Sequence, residues 1–189
     1  MRVIIICIMS ENASGADNQQ ERLQESYDSM IGYYLAGFVD GEGSFNVSLR
    51  KRADYRIGWQ VVLSFNVSQR DITVLNILKD TLRCGIIKTR KCDGLHSYDV
   101  TKPKDIINRV IPYFDKFHFF SPRKQRNYEI FKIISYLSGK RPLDKKTLLE
   151  IVSLREILNQ GKGRTRKYSI NDVFEESPET ICQAPLRRG

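Results

Sequence analysis

The carboxylate of Glu42 stands between two glycines, Gly41 and Gly43, at the end of a stretch whose helical spacing begins at Asp28. Glycine in a helix interior costs about 1 kcal/mol relative to alanine. Even so, Tyr34, Gly37, Phe38 and Gly41 fall at i, i+3, i+4 and i+7 of a single stripe. Glycines on such a stripe remove the Cβ and let another helix approach backbone to backbone. The chain has one helix of this kind and no internal repeat, so the spacing predicts a partner helix from a second copy. A two-fold axis between the copies then brings the two Glu42 carboxylates close together. Carboxylates so placed need cations, and hard oxygen ligands suit Mg²⁺. A helix stop followed by a surface charge is the alternative reading of the same residues.

Other chemistries find little support. Cys7, Cys84, Cys92 and Cys182 form no CxxC pair, and the histidines are two, His96 and His118. That pattern argues against a zinc site and against a disulfide framework. Free thiols fit an intracellular, reducing compartment such as a cytoplasm, nucleoid or organelle matrix.

A second set of residues could recognise a polymer. In two segments side chains alternate with period two: Phe45, Val47 and Leu49 against Ser44, Asn46, Ser48 and Arg50, then a longer run from Ile57 to Gln69. Such alternation predicts half-buried strands. The faces turned away from the apolar side carry Asn46, Ser48, Arg50, Arg56, Gln60, Ser64, Asn66, Lys88, Arg90, Ser97 and Asp99. Arg, Gln and Asn can bond base edges in pairs, and a strand pair fits the major groove of duplex DNA. A solvated face of an antiparallel sheet is the bland alternative. The charge balance favours a polyanion, with 31 Lys and Arg against 22 Asp and Glu, a formal charge of +9 and a pI of about 9.4. A hydrophobic fraction of 41% is that of a folded chain.

The elements that must position these groups follow in order. The glycine-bearing helix leads into a hairpin, then "RDITVLNILKDTL" forms a helix opened by Asp71. "RCGIIKTRK" and "LHSYDVT" form a second hairpin about a Cys-Asp-Gly turn. A helix starts at Pro103 and is kinked or ended by Pro112. Helices with Pro122 in the first turn and Gly139 as stop, and from Asp144 to Gly161, complete the pattern. This order, α-ββ-α-ββ-α with further helices, predicts an α+β layer with helices on one sheet face. Residues 10–26 are polar and read as a linker, and the apolar run from Val3 to Met9 is too short to span a membrane. Residues 1–26 are therefore expected to be a flexible leader, 27–170 the folded domain and 171–189 a tail.

"LAGFVDGEG", Leu35 to Gly43, resembles the signature of the LAGLIDADG homing endonucleases, and the order of elements over residues 28–170 is similar to that family's αββαββα core. One signature implies the homodimeric type, an antiparallel sheet saddle on DNA with extra C-terminal helices. The resemblance implies a site-specific, metal-dependent endonuclease that hydrolyses both strands of a long pseudo-palindromic target, encoded in an intron. Its cofactor would be Mg²⁺, with Mn²⁺ or Ca²⁺ substituting in binding. Its partners would be double-stranded DNA and a second copy of itself, with no membrane. An RNA-binding maturase acting on the host intron is the alternative on the same fold.

Residue by residue, Glu42 matches the metal-binding acid, and Gly41 the position whose carbonyl also faces the metal. Asp40 matches a structural acid. Gln69 matches a polar residue that orders water, and Arg70 loosely matches a basic residue beside it. A basic residue near the scissile phosphate corresponds to Arg123 or Lys124, and the resemblance does not choose between them. "KGRTRKYS" resembles a late loop gripping phosphates, with Arg164, Arg166 and Lys167 as the contacts.

Overall fold

The computed structural model describes residues 13–140, 142–160 and 166–175. Helix α1 (Ala13–Glu42) runs directly into strand β1 (Gly43–Lys51), which pairs with β2 (Trp59–Gln69). Helix α2 (Ile72–Leu82) and strands β3 (Ile86–Thr89) and β4 (His96–Val100) follow. All pairings are antiparallel and the sheet order is β1-β2-β4-β3. The chain then continues through α3 (Pro103–Asp105), a π-helical turn (Ile106–Val110), α4 (Ile111–Lys116), α5 (Pro122–Gly139), α6 (Lys145–Ile157) and α7 (Ile170–Glu175). The α+β order expected from the sequence is the one found.

Period-two alternation puts Phe45, Val47, Leu63, Phe65, Val67, Tyr98 and Val100 on the sheet face that the helices cover. Phe45 is the hub of that core. Its ring lies 5.2 Å from those of Phe65 and Phe131 and 5.5 Å from that of Tyr128. A smaller cluster of Leu49, Trp59, Leu148, Val152 and Val173 closes the far end of β1 and β2 under α6 and α7.

Local signals fixed several boundaries. The Asp71 carboxylate accepts the Thr73 N–H at 2.8 Å and opens α2, and Asp144 does the same for α6 through Thr147 N–H at 2.7 Å. Helix α6 stops at Ile157, before the Gly161 the sequence pointed to. Asn159 takes a left-handed φ of 52° and spends its amide on the Phe45 carbonyl at 2.6 Å.

Two expectations need correction. The polar stretch 10–26 is helical from Ala13 on, where it had read as a linker. Gln, Glu, Arg and Leu in "QQERLQE" are good helix formers whatever their polarity. Pro112, expected to kink or end its helix, does not end it, because the preceding turn widens so that Ile111 N–H bonds the Ile106 carbonyl. A π turn absorbs the donor that proline lacks.

Candidate functional site

Helix α1 presents Asp40, Gly41 and Glu42 at its C-terminal end, where chain direction changes into β1 without a loop. Gly43 permits this, since a Cβ there would lie 2.5 Å from Val39 Cγ1 and 2.7 Å from the Val39 carbonyl oxygen. Glu42 is exposed at the tip. Asp40 is turned inward, and its carboxylate accepts the Ser121 N–H at 2.9 Å and the Ser121 hydroxyl. It thus caps α5 in place of Ser121's own side chain, and ties the end of α1 to the start of α5. That is the structural role expected of it.

The tie delivers Lys124, in the first turn of α5, to the tip of α1. Its ammonium donates to the Gly43 carbonyl, one residue from Glu42. Burial holds this ammonium below the ordinary lysine range, against the opposing pull of Asp40; Arg123 adds to the depression and Glu42 acts against it. Arg123 points elsewhere, donating to the Gln160 carbonyl at 2.7 Å. Of the two basic residues the sequence offered, Lys124 is the one brought to Glu42. A cleft of about 280 Å³ beside it is lined by Asp40, Ser121, Arg123, Lys124, Asn127 and Asn159. Sequence reasoning missed Ser121, Asn127 and Asn159. A Ser-Pro pair opening a helix is a recognisable cap signal for the first, and nothing local marks the other two.

Gln69 ends β2 two residues past the Gly43↔Val67 pair, so the register carries it to the same end of the sheet as Glu42. Its side-chain oxygen accepts the Arg70 N–H at 2.8 Å. Arg70 is exposed. Among the described residues no group of three or more His, Cys, Asp or Glu is placed to hold a metal. One chain offers the Glu42 carboxylate and, at a helix end where carbonyls lack intrahelical partners, the carbonyl of Gly41. These are hard oxygen donors of the kind Mg²⁺ and Ca²⁺ accept, but too few to fill six positions. The donor set fits a divalent ion whose remaining positions are filled by oxygens from elsewhere.

The sheet face opposite the core is open. Across it the register sets Asn46 beside Ser64, Arg50 beside Gln60, Asn66 beside Asp99, and Lys88 beside Ser97, with Ser48 beside Val62. Asn46 donates to Ser44 and to Asn66, each at 3.0 Å; Lys88 pairs with Asp99 at 3.1 Å, and Ser97 bonds the same carboxylate. Two residues leave this face. Arg56 lies in the β1–β2 turn. Arg90 lies one residue beyond β3, in the β3–β4 turn, with its guanidinium bidentate on Asp93 at 2.7 and 2.8 Å. Beyond Thr89 the chain turns, with Arg90 N–H donating to the Leu95 carbonyl at 2.8 Å and Gly94 N–H to the Arg90 carbonyl at 2.9 Å.

Arg164 lies outside the described residues. Arg166 is not a free cation for phosphate. Its guanidinium pairs with the Glu156 carboxylate and donates to the Leu158 carbonyl at 3.0 Å, closing the C-terminal end of α6. Lys167 is exposed, its ammonium 5.3 Å from the Tyr168 ring centre. On α1, Gly37 and Gly41 face solvent, and a Cβ at either would meet nothing within 4 Å. Tyr34 is exposed beside them, and Phe38 is half-buried with part of its side chain packed against the core.

Comparison with known proteins places this geometry. The sequence model of the LAGLIDADG endonucleases matches residues 35–135. A "probable intron-encoded endonuclease 2" of Neurospora crassa is 28% identical over 145 residues, 75% of this chain and 32% of that one. The chain spans about a third of that relative and about a quarter of two other fungal relatives. The homing endonuclease I-TnaI superposes with a TM-score of 0.66 at 26% identity, covering 77% of this chain and 96% of that one. I-SmaMI, bound to an uncleaved DNA target in the presence of calcium ions, superposes with a TM-score of 0.67 at 31% identity, covering 77% of this chain and 49% of that one. Among the described residues no helix is long and apolar enough to cross a membrane.

Proposed function

The chain belongs to the LAGLIDADG endonuclease family, and from that premise we propose that it cuts both strands of a specific DNA site as a homodimer that uses a divalent metal. The observation that carries the reading is the tip of α1. There an exposed Glu42 stands beside Lys124, on a helix whose Gly37 and Gly41 leave room for another backbone. The described residues hold one LAGLIDADG unit, matching about half of I-SmaMI, which supports pairing with a second such unit.

In the dimer, the Glu42 carboxylates meet at the axis over the centre of the target. Mg²⁺ held there by Glu42 and the Gly41 carbonyl would supply Lewis-acid stabilisation of the phosphate oxygens, with Mn²⁺ as a substitute and Ca²⁺ supporting binding. Gln69, at the same sheet end, orients the attacking water through its amide. Lys124, half-buried and anchored at Gly43, places a positive charge where negative charge grows on the phosphate. The open sheet face, with Asn46, Ser48, Arg50, Gln60, Ser64, Asn66, Lys88, Ser97 and Asp99, lies along the major groove. Arg56, Arg70 and Arg90 add contacts from the turns, and Lys167 reaches a phosphate.

The test is Glu42→Gln, with nicking and binding measured on a target selected from a randomised DNA library. The expected result is loss of cleavage with binding retained or tightened, since the sheet face is untouched. Cleavage at the wild-type rate overturns the assignment.

A further inference from the structure

Helix α1 is longer than the site needs. Its 30 residues span about 45 Å, and residues 19–28 are exposed on every side. A solvated single helix of that kind is marginal by itself. Yet large apolar side chains lie along it, with Leu23 71%, Tyr27 55%, Met30 59% and Tyr34 52% exposed. Their positions, continued by Gly37 and Gly41, step alternately by four and three residues. That is the 3.5-residue repeat of a coiled-coil seam, and it runs without a break into the glycine pair.

We propose that the N-terminal half of α1 forms a parallel two-stranded coiled coil with the same segment of a second copy. This extends the dimer beyond the catalytic tip and away from the DNA face, and it rests on the homodimer reading above. Two observations select a second copy as the occupant. In the proposed dimer a two-fold axis through the Glu42 tips would set the two α1 helices against each other, each seam facing its own counterpart. The seam is in register with the open glycines, so one helix pairing serves both. The charges suit self-pairing: the flanking positions Gln19, Gln24, Ser26 and Tyr33 carry none, while Glu21, Arg22, Glu25 and Asp28 fall on the remaining outer positions. Between Gln19 and Tyr33, two identical helices therefore meet without like-charge contacts along the seam.

Leu23 and Tyr27 are both exposed in the single chain, so replacing them leaves the core intact. The variant L23D/Y27D is compared with wild type by sedimentation equilibrium, with circular dichroism as a check on the folded body. Dimerisation should weaken at least roughly tenfold for each substituted layer, while saturating protein still cuts DNA. A second measurement uses single cysteines in a background with the native cysteines replaced by serine. Under mild oxidation Leu23→Cys should form a covalent dimer, and Glu21→Cys, off the seam, should not. If L23D/Y27D dimerises as tightly as wild type, or Leu23→Cys does not cross-link, the coiled coil is wrong while a dimer through Gly37 and Gly41 stands. A wild-type chain that is monomeric both free and on DNA overturns the dimer itself.

Discussion

Replacing Lys124 with methionine should slow cleavage by roughly 10²–10³-fold and leave the fold intact, and Arg123→Ala should not do so. The magnitude follows from placement. Lys124 is fixed to the Gly43 carbonyl, one residue from Glu42, in half-buried surroundings. Removing one preplaced group that meets developing negative charge costs about 2.7–4 kcal/mol of transition-state stabilisation. Arg123 is engaged with the Gln160 carbonyl, so its loss should fall on the loop after α6 rather than on the rate. Burial depresses the pKa of Lys124 in the folded chain. Between the folded and unfolded values the unfolded chain binds more protons, so this group makes stability rise with pH, and its charge weighs against folding at neutral pH. Lys124→Met should therefore be no less stable than wild type. If Lys124 acts through its positive charge, as proposed, the alkaline limb of the cleavage profile should lie below the ordinary lysine range, and Lys124→Arg should move it upward. The assay is single-turnover cleavage of a supercoiled target across pH, at saturating protein, with binding measured separately. A Lys124→Met variant that cuts at the wild-type rate, or an alkaline limb unmoved by Lys124→Arg, refutes the reasoning.

Asp40→Ala removes the acceptor for both polar groups of Ser121 at the start of α5; denaturant unfolding should show a loss of about 1–2 kcal/mol, and an unchanged midpoint would mean that the cap adds nothing. Arg90, held by Asp93, leaves part of its guanidinium for a guanine edge. Arg90→Ala should relax one base pair in each half-site by about 1–3 kcal/mol, and Asp93→Ala should relax the same pair less. A specificity profile lowered uniformly, with no pair relaxed, would assign Arg90 to the turn alone. Arg166→Ala should lower stability by roughly 1–3 kcal/mol through the freed end of α6, without changing the slope of DNA affinity against salt. A flattened slope at unchanged stability would restore Arg166 as a phosphate contact.

Local pattern determined much of this protein. Alternation along β1 and β2 set both the buried face and the open one, because a strand's side chains can point only two ways. Asp71 and Asp144 marked helix starts through contacts two and three residues away. The glycines of Leu35 to Gly43 marked the tip of α1 and the family. Composition misled at residues 13–26, where polar residues with helical propensity read as a linker because no core-facing stripe was needed to make them a helix. What local pattern could not carry were bonds between distant segments. The choice of Lys124 over Arg123 depends on Asp40 capping Ser121, 81 residues away, which fixes how α5 is rotated against the tip of α1. Arg166 looked like any other basic loop residue until the fold brought it to the end of α6. Such pairings arise when helices pack on one sheet face and bring distant polar groups together out of water, where each must find a partner.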